Sequence, residues 1–119
     1  MTALTLELPY PPSVNHYWRH TRRGVHYISD EGKKYRDKVF LTCMGYLPFK
    51  KPVSISVEVY FPDKRKRDLD NLGKVLLDSL VQAKIIEDDC WQSVPELKWK
   101  AMGVEKCGRI VVRFEELEQ

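Results

Sequence analysis

From Val53 to Phe61 every second side chain is apolar, Val53, Ile55, Val57, Val59 and Phe61 alternating with Ser54, Ser56, Glu58 and Tyr60. That period of two fits a strand with one buried face and excludes an amphipathic helix, whose apolar positions recur every three or four residues. The strand delivers the chain to Lys64-Arg65-Lys66-Arg67-Asp68-Leu69-Asp70-Asn71-Leu72-Gly73-Lys74, where the period changes. Leu69, Leu72, Leu76 and Leu80 share one helical face, so a helix is predicted from Asp68, a good N-cap, to about Gln82. Asp70, Lys74 and Asp78 climb an adjacent stripe at i, i+4, i+8, and Gly73 permits a neighbour to approach the helix backbone closely.

The remaining segments supply partners for this unit. Leu4, Leu6 and Leu8 alternate with Thr5 and Glu7 in a first strand that ends at Pro9, because Pro9-Tyr10-Pro11-Pro12-Ser13 cannot continue a ladder. Residues 15–24 read as a loop in which Tyr17 and Trp18 either bury or stack on bases, while Arg19, Arg22 and Arg23 suit phosphates. Ser29 or Asp30 caps a helix running to about Gly45, with Tyr35, Val39 and Cys43 at helical spacing. Leu97, Trp99 and Ala101, then Ile110, Val112 and Phe114, alternate around a turn at 103–108 and predict a closing hairpin. The order β-α-β-α-β-β implies an α/β fold, an α+β sandwich with a mixed four-stranded sheet and two main helices. At 119 residues the chain suits one domain, 1–119, and is too short for two.

Charge distribution says more than the net charge of +3. Arg19 to Arg23, Lys33 to Lys38 and Lys64 to Arg67 are basic patches whose uneven placement favours a nucleic-acid partner, although a lone charge run is more often just a solvated face. Cys43, Cys90 and Cys107 are odd in number and contain no Cys-x-x-Cys, which argues against a disulfide framework or zinc ribbon and fits a reducing cytoplasm. His16 and His20 stand four apart without a third ligand, so zinc is not expected there. No apolar run approaches a membrane span and the first residues lack the pattern of an export signal, so neither membrane attachment nor export is expected.

Two carboxylates immediately after four cations suit phosphodiester chemistry: cations hold phosphates, and carboxylates hold a metal against one of them. Magnesium is a hard cation that takes such oxygens, and Asp68, Asp70, Asp88 and Asp89 supply them. Each residue also has a structural reading: Asp68 as a helix cap, and Asp70 with Lys74 and Lys74 with Asp78 as exposed helix pairs. Lys74 beside carboxylates can instead hold a phosphate or stabilise a leaving oxygen.

The ordered set Arg65-Lys66-Arg67-Asp68-Leu69-Asp70-Asn71-Leu72, Lys74, Asp78 and Asp88-Asp89 resembles the RusA family of Holliday junction resolvases. Leu8-Pro9-Tyr10-Pro11-Pro12-Ser13 with Asn15, and Glu31-Gly32 with Tyr35-Arg36, are similar to that family's opening strand, loop and first helix. The resemblance implies Asp68, Asp70 and Asp89 as essential carboxylates and metal ligands, with Lys74 as the essential lysine. It also implies magnesium, with manganese as a substitute, no nucleotide cofactor, a homodimer, and paired nicks across four-way junction DNA. After the acidic pair this chain reads Cys90-Trp91-Gln92, where the family pattern places a small residue directly before the glutamine, so Asp88 stays beside Asp89 as a candidate ligand. Trp91 is expected to pack next to the acidic pair. The expected activity is structure-selective DNA cleavage, with Arg19, Arg22, Arg23, Lys64, Arg65, Lys66 and Arg67 binding DNA. The rivals are a non-catalytic DNA-binding module built on Lys64 to Arg67, and a single-strand RNA binder stacking bases on Tyr17 and Trp18.

Overall fold

The computed structural model describes residues 3–20, 22–24 and 26–118. Its elements follow in the order β1 (Ala3–Pro9), α1 (Val14–Tyr17), β2 (Trp18–His20), β3 (His26–Ile28), α2 (Asp30–Cys43), β4 (Val53–Phe61), α3 (Asp70–Gln82), β5 (Glu96–Val104) and β6 (Arg109–Glu116). The mixed four-stranded sheet and two main helices are as the patterning predicts. Strand order is β1-β6-β4-β5, with β6 antiparallel to both β1 and β4, and β4 parallel to β5.

The inward side chains of β4, Val53, Ile55, Val57 and Val59, are buried and meet Leu6, Leu8, Ile110, Val112 and Phe114 from β1 and β6. The helices cover this face with Tyr35, Val39 and Cys43 of α2 and Leu72, Leu76 and Leu80 of α3. Each fully buried leucine or valine is worth about 1.5–3 kcal/mol of transfer free energy. The opposite face stays polar: Arg113 pairs with Glu58 at 2.9 Å and Arg109 with Glu7 at 2.9 Å, and Arg109 also lies 3.9 Å over the Tyr60 ring.

The predicted closing hairpin is not formed. β5 and β6 flank β4 on opposite sides, because α3 makes a parallel crossover from β4 to β5 and the next loop then crosses over the end of β4. In that loop Glu105 N–H donates to the Phe61 carbonyl at 2.8 Å. Gly108 sits at φ +66°, where a Cβ would meet Tyr10 and Pro62 at 3.0 Å. The arrangement suits the residues. Apolar β6 gains a neighbour on each side, while β5, carrying Lys98 and Lys100, takes an edge that charge protects from further pairing.

The predicted loop at 15–24 also holds more structure than its sequence announces: Ser13 caps α1, and β2 pairs with β3. Ser29 rather than Asp30 caps α2, accepting from Gly32 N–H at 3.0 Å. Among the described residues no helix is long and apolar enough to cross a membrane.

Candidate active site

The cationic run is held by a residue that composition did not single out. The Asp63 carboxylate accepts from the Arg65 backbone N–H at 2.9 Å and from both terminal nitrogens of Arg67, at 2.6 and 3.1 Å. The Arg67 hydrogen bonds, and next the Arg65 N–H, hold the Asp63 carboxyl well below the usual carboxylate range. Asp63 thus fixes Arg65 and Arg67, while Lys64 and Lys66 are exposed and have no ion pair among the described residues. The signal for Asp63 was a short one: an aspartate two residues before the N–H it caps and four before the arginine it grips.

Asp68 does not act as the predicted cap. α3 begins at Asp70; Leu69 occupies the cap position with helical backbone and no side-chain bond, and it is the Asp68 carbonyl that accepts from Asn71 N–H, at 3.3 Å. The carboxylates of Asp68 and Asp70 are consequently exposed and unpaired among the described residues.

Neither predicted i, i+4 pair on α3 forms. Lys74 Nζ lies 5.9 Å from the Trp18 ring centre, and Asp78 is taken by Arg36, whose guanidinium reaches it at 2.7 Å. Tyr17, fully buried, donates its hydroxyl to the same Asp78 oxygen and accepts from Arg36 Nε at 2.7 Å. Burial, then the bond to Asp78, pushes the Tyr17 phenol up to about 12. Its ring meets Trp18 edge to face at 5.4 Å. The three helices are thereby locked with Lys74 held beside Trp18. Arg36 was not among the expected site residues, since nothing in its local pattern shows a partner 42 positions away. A buried Tyr17 also removes half of the stacking platform expected of an RNA binder.

Asp88 and Asp89 lie in the connection after α3. That connection does not fold back along the helix: Phe49 N–H donates to the Ile85 carbonyl at 3.0 Å and Val53 N–H to the Ser93 carbonyl at 2.9 Å, which anchors it at the start of β4. Asp70 lies beyond the end of β4, so the 13-residue α3, rising about 19 Å, stands between the acidic clusters. Among the described residues no three His, Cys, Asp or Glu side chains gather into a group able to hold a metal. Magnesium itself asks for less, commonly one or two carboxylates with waters and substrate phosphate, and Asp68 with Asp70 fits that demand. Trp91 does not pack beside the acidic pair as expected; it is 74% exposed.

Arg19, Arg22 and Arg23 are exposed at the β2–β3 hairpin. A cleft of about 900 Å³ opens between the Pro9–Ser13 loop, the first half of α2 and residues 65–72, with Asp68 in its lining. Beyond the end of β4 the chain thus carries, in succession, a cationic run clamped by Asp63, the carboxylates of Asp68 and Asp70 without an ion pair among the described residues, and Lys74 one turn further along α3, residue types suited to holding a phosphodiester. The model of the family described as Endodeoxyribonuclease RusA matches residues 9–115. The chain belongs to the RusA family. It is 38% identical to the crossover junction endodeoxyribonuclease RusA of Escherichia coli (strain K12) and 39% identical to that of Enterobacteria phage 82, with 98% of each chain covered in both cases. A RusA match of this span includes all the elements that build the site, from the Pro9 loop through α3 to β6.

Proposed function

We propose that this chain is a crossover junction endodeoxyribonuclease that resolves four-way DNA junctions by paired phosphodiester hydrolysis. The observation that carries the reading is the pair of carboxylates Asp68 and Asp70, which among the described residues make no cap bond or salt bridge, between an Asp63-clamped basic run and Lys74. Its support is that two exposed carboxylates with no ion pair among the described residues, next to a basic run, are available to a metal and a phosphate. Magnesium, or manganese in its place, would be held by Asp68 and Asp70 and would supply polarisation of a phosphate oxygen and a more acidic bound water. Lys74 stabilises charge that develops on the phosphate, and Arg19, Arg22, Arg23 and the Lys64–Arg67 run fix the arms through their backbones. No nucleotide takes part. Three unpaired cysteines agree with a cytoplasmic setting.

The chain acts as a homodimer in this reading. Two strands must be cut about an approximate two-fold axis, which calls for two symmetric sites. The separation of Asp89 from Asp70 by the length of α3 adds support: where two copies run antiparallel, the end of one α3 meets the start of the other, and Asp89, or its neighbour Asp88, joins the partner's Asp70. Phe40, Leu41, Met44 and Leu47, between 48% and 88% exposed, offer apolar area for a second copy to cover.

The decisive experiment incubates labelled four-way junction, linear duplex and single strand with protein, with and without magnesium. Paired nicks on the junction alone, dependent on metal, are expected. Binding without cleavage under all conditions would leave only a DNA-binding module.

A further inference from the structure

The cleft bordering Asp68 carries more positive charge than the carboxylate site requires. Lys34 and Lys38, one turn apart on α2, line it together with Lys66, and none of the three has an ion pair among the described residues. Arg65 and Arg67 also line it, but Asp63 already binds both. Glu31 and Asp68 also line the cleft, but the cations outnumber them, and three ammonium groups without an ion pair among the described residues repel each other around one space, a repulsion that a polyanion offsets. The opposite wall, Pro9 to Pro12, carries three prolines, whose fixed φ keeps the opening in shape.

Size selects the form of the polyanion. A volume of about 900 Å³ lies within the range of small-ligand pockets, roughly 300–1,000 Å³. A space of that size cannot enclose a whole duplex, whose two strands stand on either side of grooves about 12 Å and 6 Å wide. A few nucleotides of one strand fit.

We propose that the cleft seats an unpaired stretch of one DNA strand at the branch point, its phosphates on Lys34, Lys38 and Lys66, and leads that strand to Asp68. This inference rests on the junction-cutting reading and deepens it: a branch point is where a strand can leave its pairing beside duplex arms, which an intact linear duplex does not allow, so the cleft favours branched over linear duplex DNA.

The test is equilibrium binding in EDTA, where cleavage plays no part, of three labelled probes: a linear duplex, a fully paired four-way junction, and the same junction with unpaired thymines at its centre. Wild type is expected to bind the opened junction severalfold more tightly than the paired one. Lys34→Gln/Lys38→Gln should lose that preference, keep its duplex affinity, and lower the salt slope on the opened junction by about 0.7 for each single-strand phosphate contact removed. Both lysines are exposed, so the fold should survive. Lys34→Arg/Lys38→Arg, which keeps the charge, should retain the preference. An equal loss on all three probes, or no preference in wild type, overturns the proposal. The two readings fail differently: a protein that prefers the opened junction but never cuts loses the nuclease reading, and one that cuts without this preference loses the cleft.

Discussion

Tyr17 is fully buried, and its hydroxyl lies between the Asp78 carboxylate and the Arg36 guanidinium. Its phenol, raised from 10.0 to about 12, keeps its proton in the folded chain at pH values where the unfolded chain loses it. The unfolded state then binds fewer protons, so this contribution to stability is complete below pH 10 and disappears as pH climbs through about 12. Burial raises Tyr35 as well, which adds to the same alkaline loss. Tyr17→Phe should therefore unfold at slightly lower denaturant near pH 8, by about 1 kcal/mol for the lost hydrogen bond, yet lose stability less steeply above pH 10. Denaturant titrations from pH 8 to 12 check both; an unchanged alkaline slope would mean that Tyr17 does not carry it. Lys74→Ala should lower kcat far more than junction affinity, since one phosphate contact is a small part of a large interface while transition-state charge is local. Equal wild-type rates would reduce Lys74 to a neighbour of Trp18. Trp91→Ala should move stability by less than about 0.5 kcal/mol, because the side chain is already 74% exposed and leaves little cavity. A thermal melt reads this directly, and any loss of DNA affinity in a stable variant places Trp91 on the substrate.

At the scale of elements, the start of α2 depends on a residue with no side chain. A Cβ on Gly32 would sit 2.8 Å from the Tyr17 carbonyl oxygen and 2.8 Å from Ile28 Cγ2, contacts that real Cβ atoms do not make. In a free helix, replacing glycine by alanine gains about 0.8–1 kcal/mol. Here the close approach to fixed backbone prevails, so Gly32→Ala should lose about 1–3 kcal/mol of stability, the usual range for overpacking. Chemical denaturation decides between the signs. The same element carries Arg36, so a shifted α2 should also loosen Asp78 and reduce activity. Gly73 is a milder case, its Cβ position being 3.4 Å from Trp99, which seats the β5 edge against α3.

For the whole molecule, the separated acidic clusters make a prediction about partnership. Asp70→Asn and Asp89→Asn chains should each be inactive alone. When they are refolded together, a mixed dimer with sites shared across the two-fold places both lesions in one site and leaves the other intact. Single nicks should then reappear without concerted resolution. Mixtures that remain inactive would mean that each chain completes its own site and that the connection after α3 must move to do so. Light scattering of a monomer that still makes paired nicks would sink the dimer altogether.

Alternation at Val53–Phe61, the leucine stripe of α3 and the proline stop at Pro9 determined the strands and helices, because periodicity of burial is a local property written residue by residue. The basic run, Asp68, Asp70 and Lys74 were legible for the same reason: neighbours in sequence stay neighbours in space. Other features depend on where distant segments meet, and only the tertiary structure decided them. The insertion of β6 between β1 and β4 follows from the crossover through α3, and alternation alone cannot distinguish that from a hairpin. The capture of Asp78 by Arg36 and Tyr17 overrode the local salt bridge to Lys74, since a partly buried, three-member hydrogen-bonded network outweighs an exposed helix pair worth about 0.3–0.5 kcal/mol. The distance from Asp70 to Asp89 was likewise invisible in a spacing of nineteen residues, because it depends on whether the intervening chain returns along the helix or, as here, is hydrogen-bonded to the foot of β4.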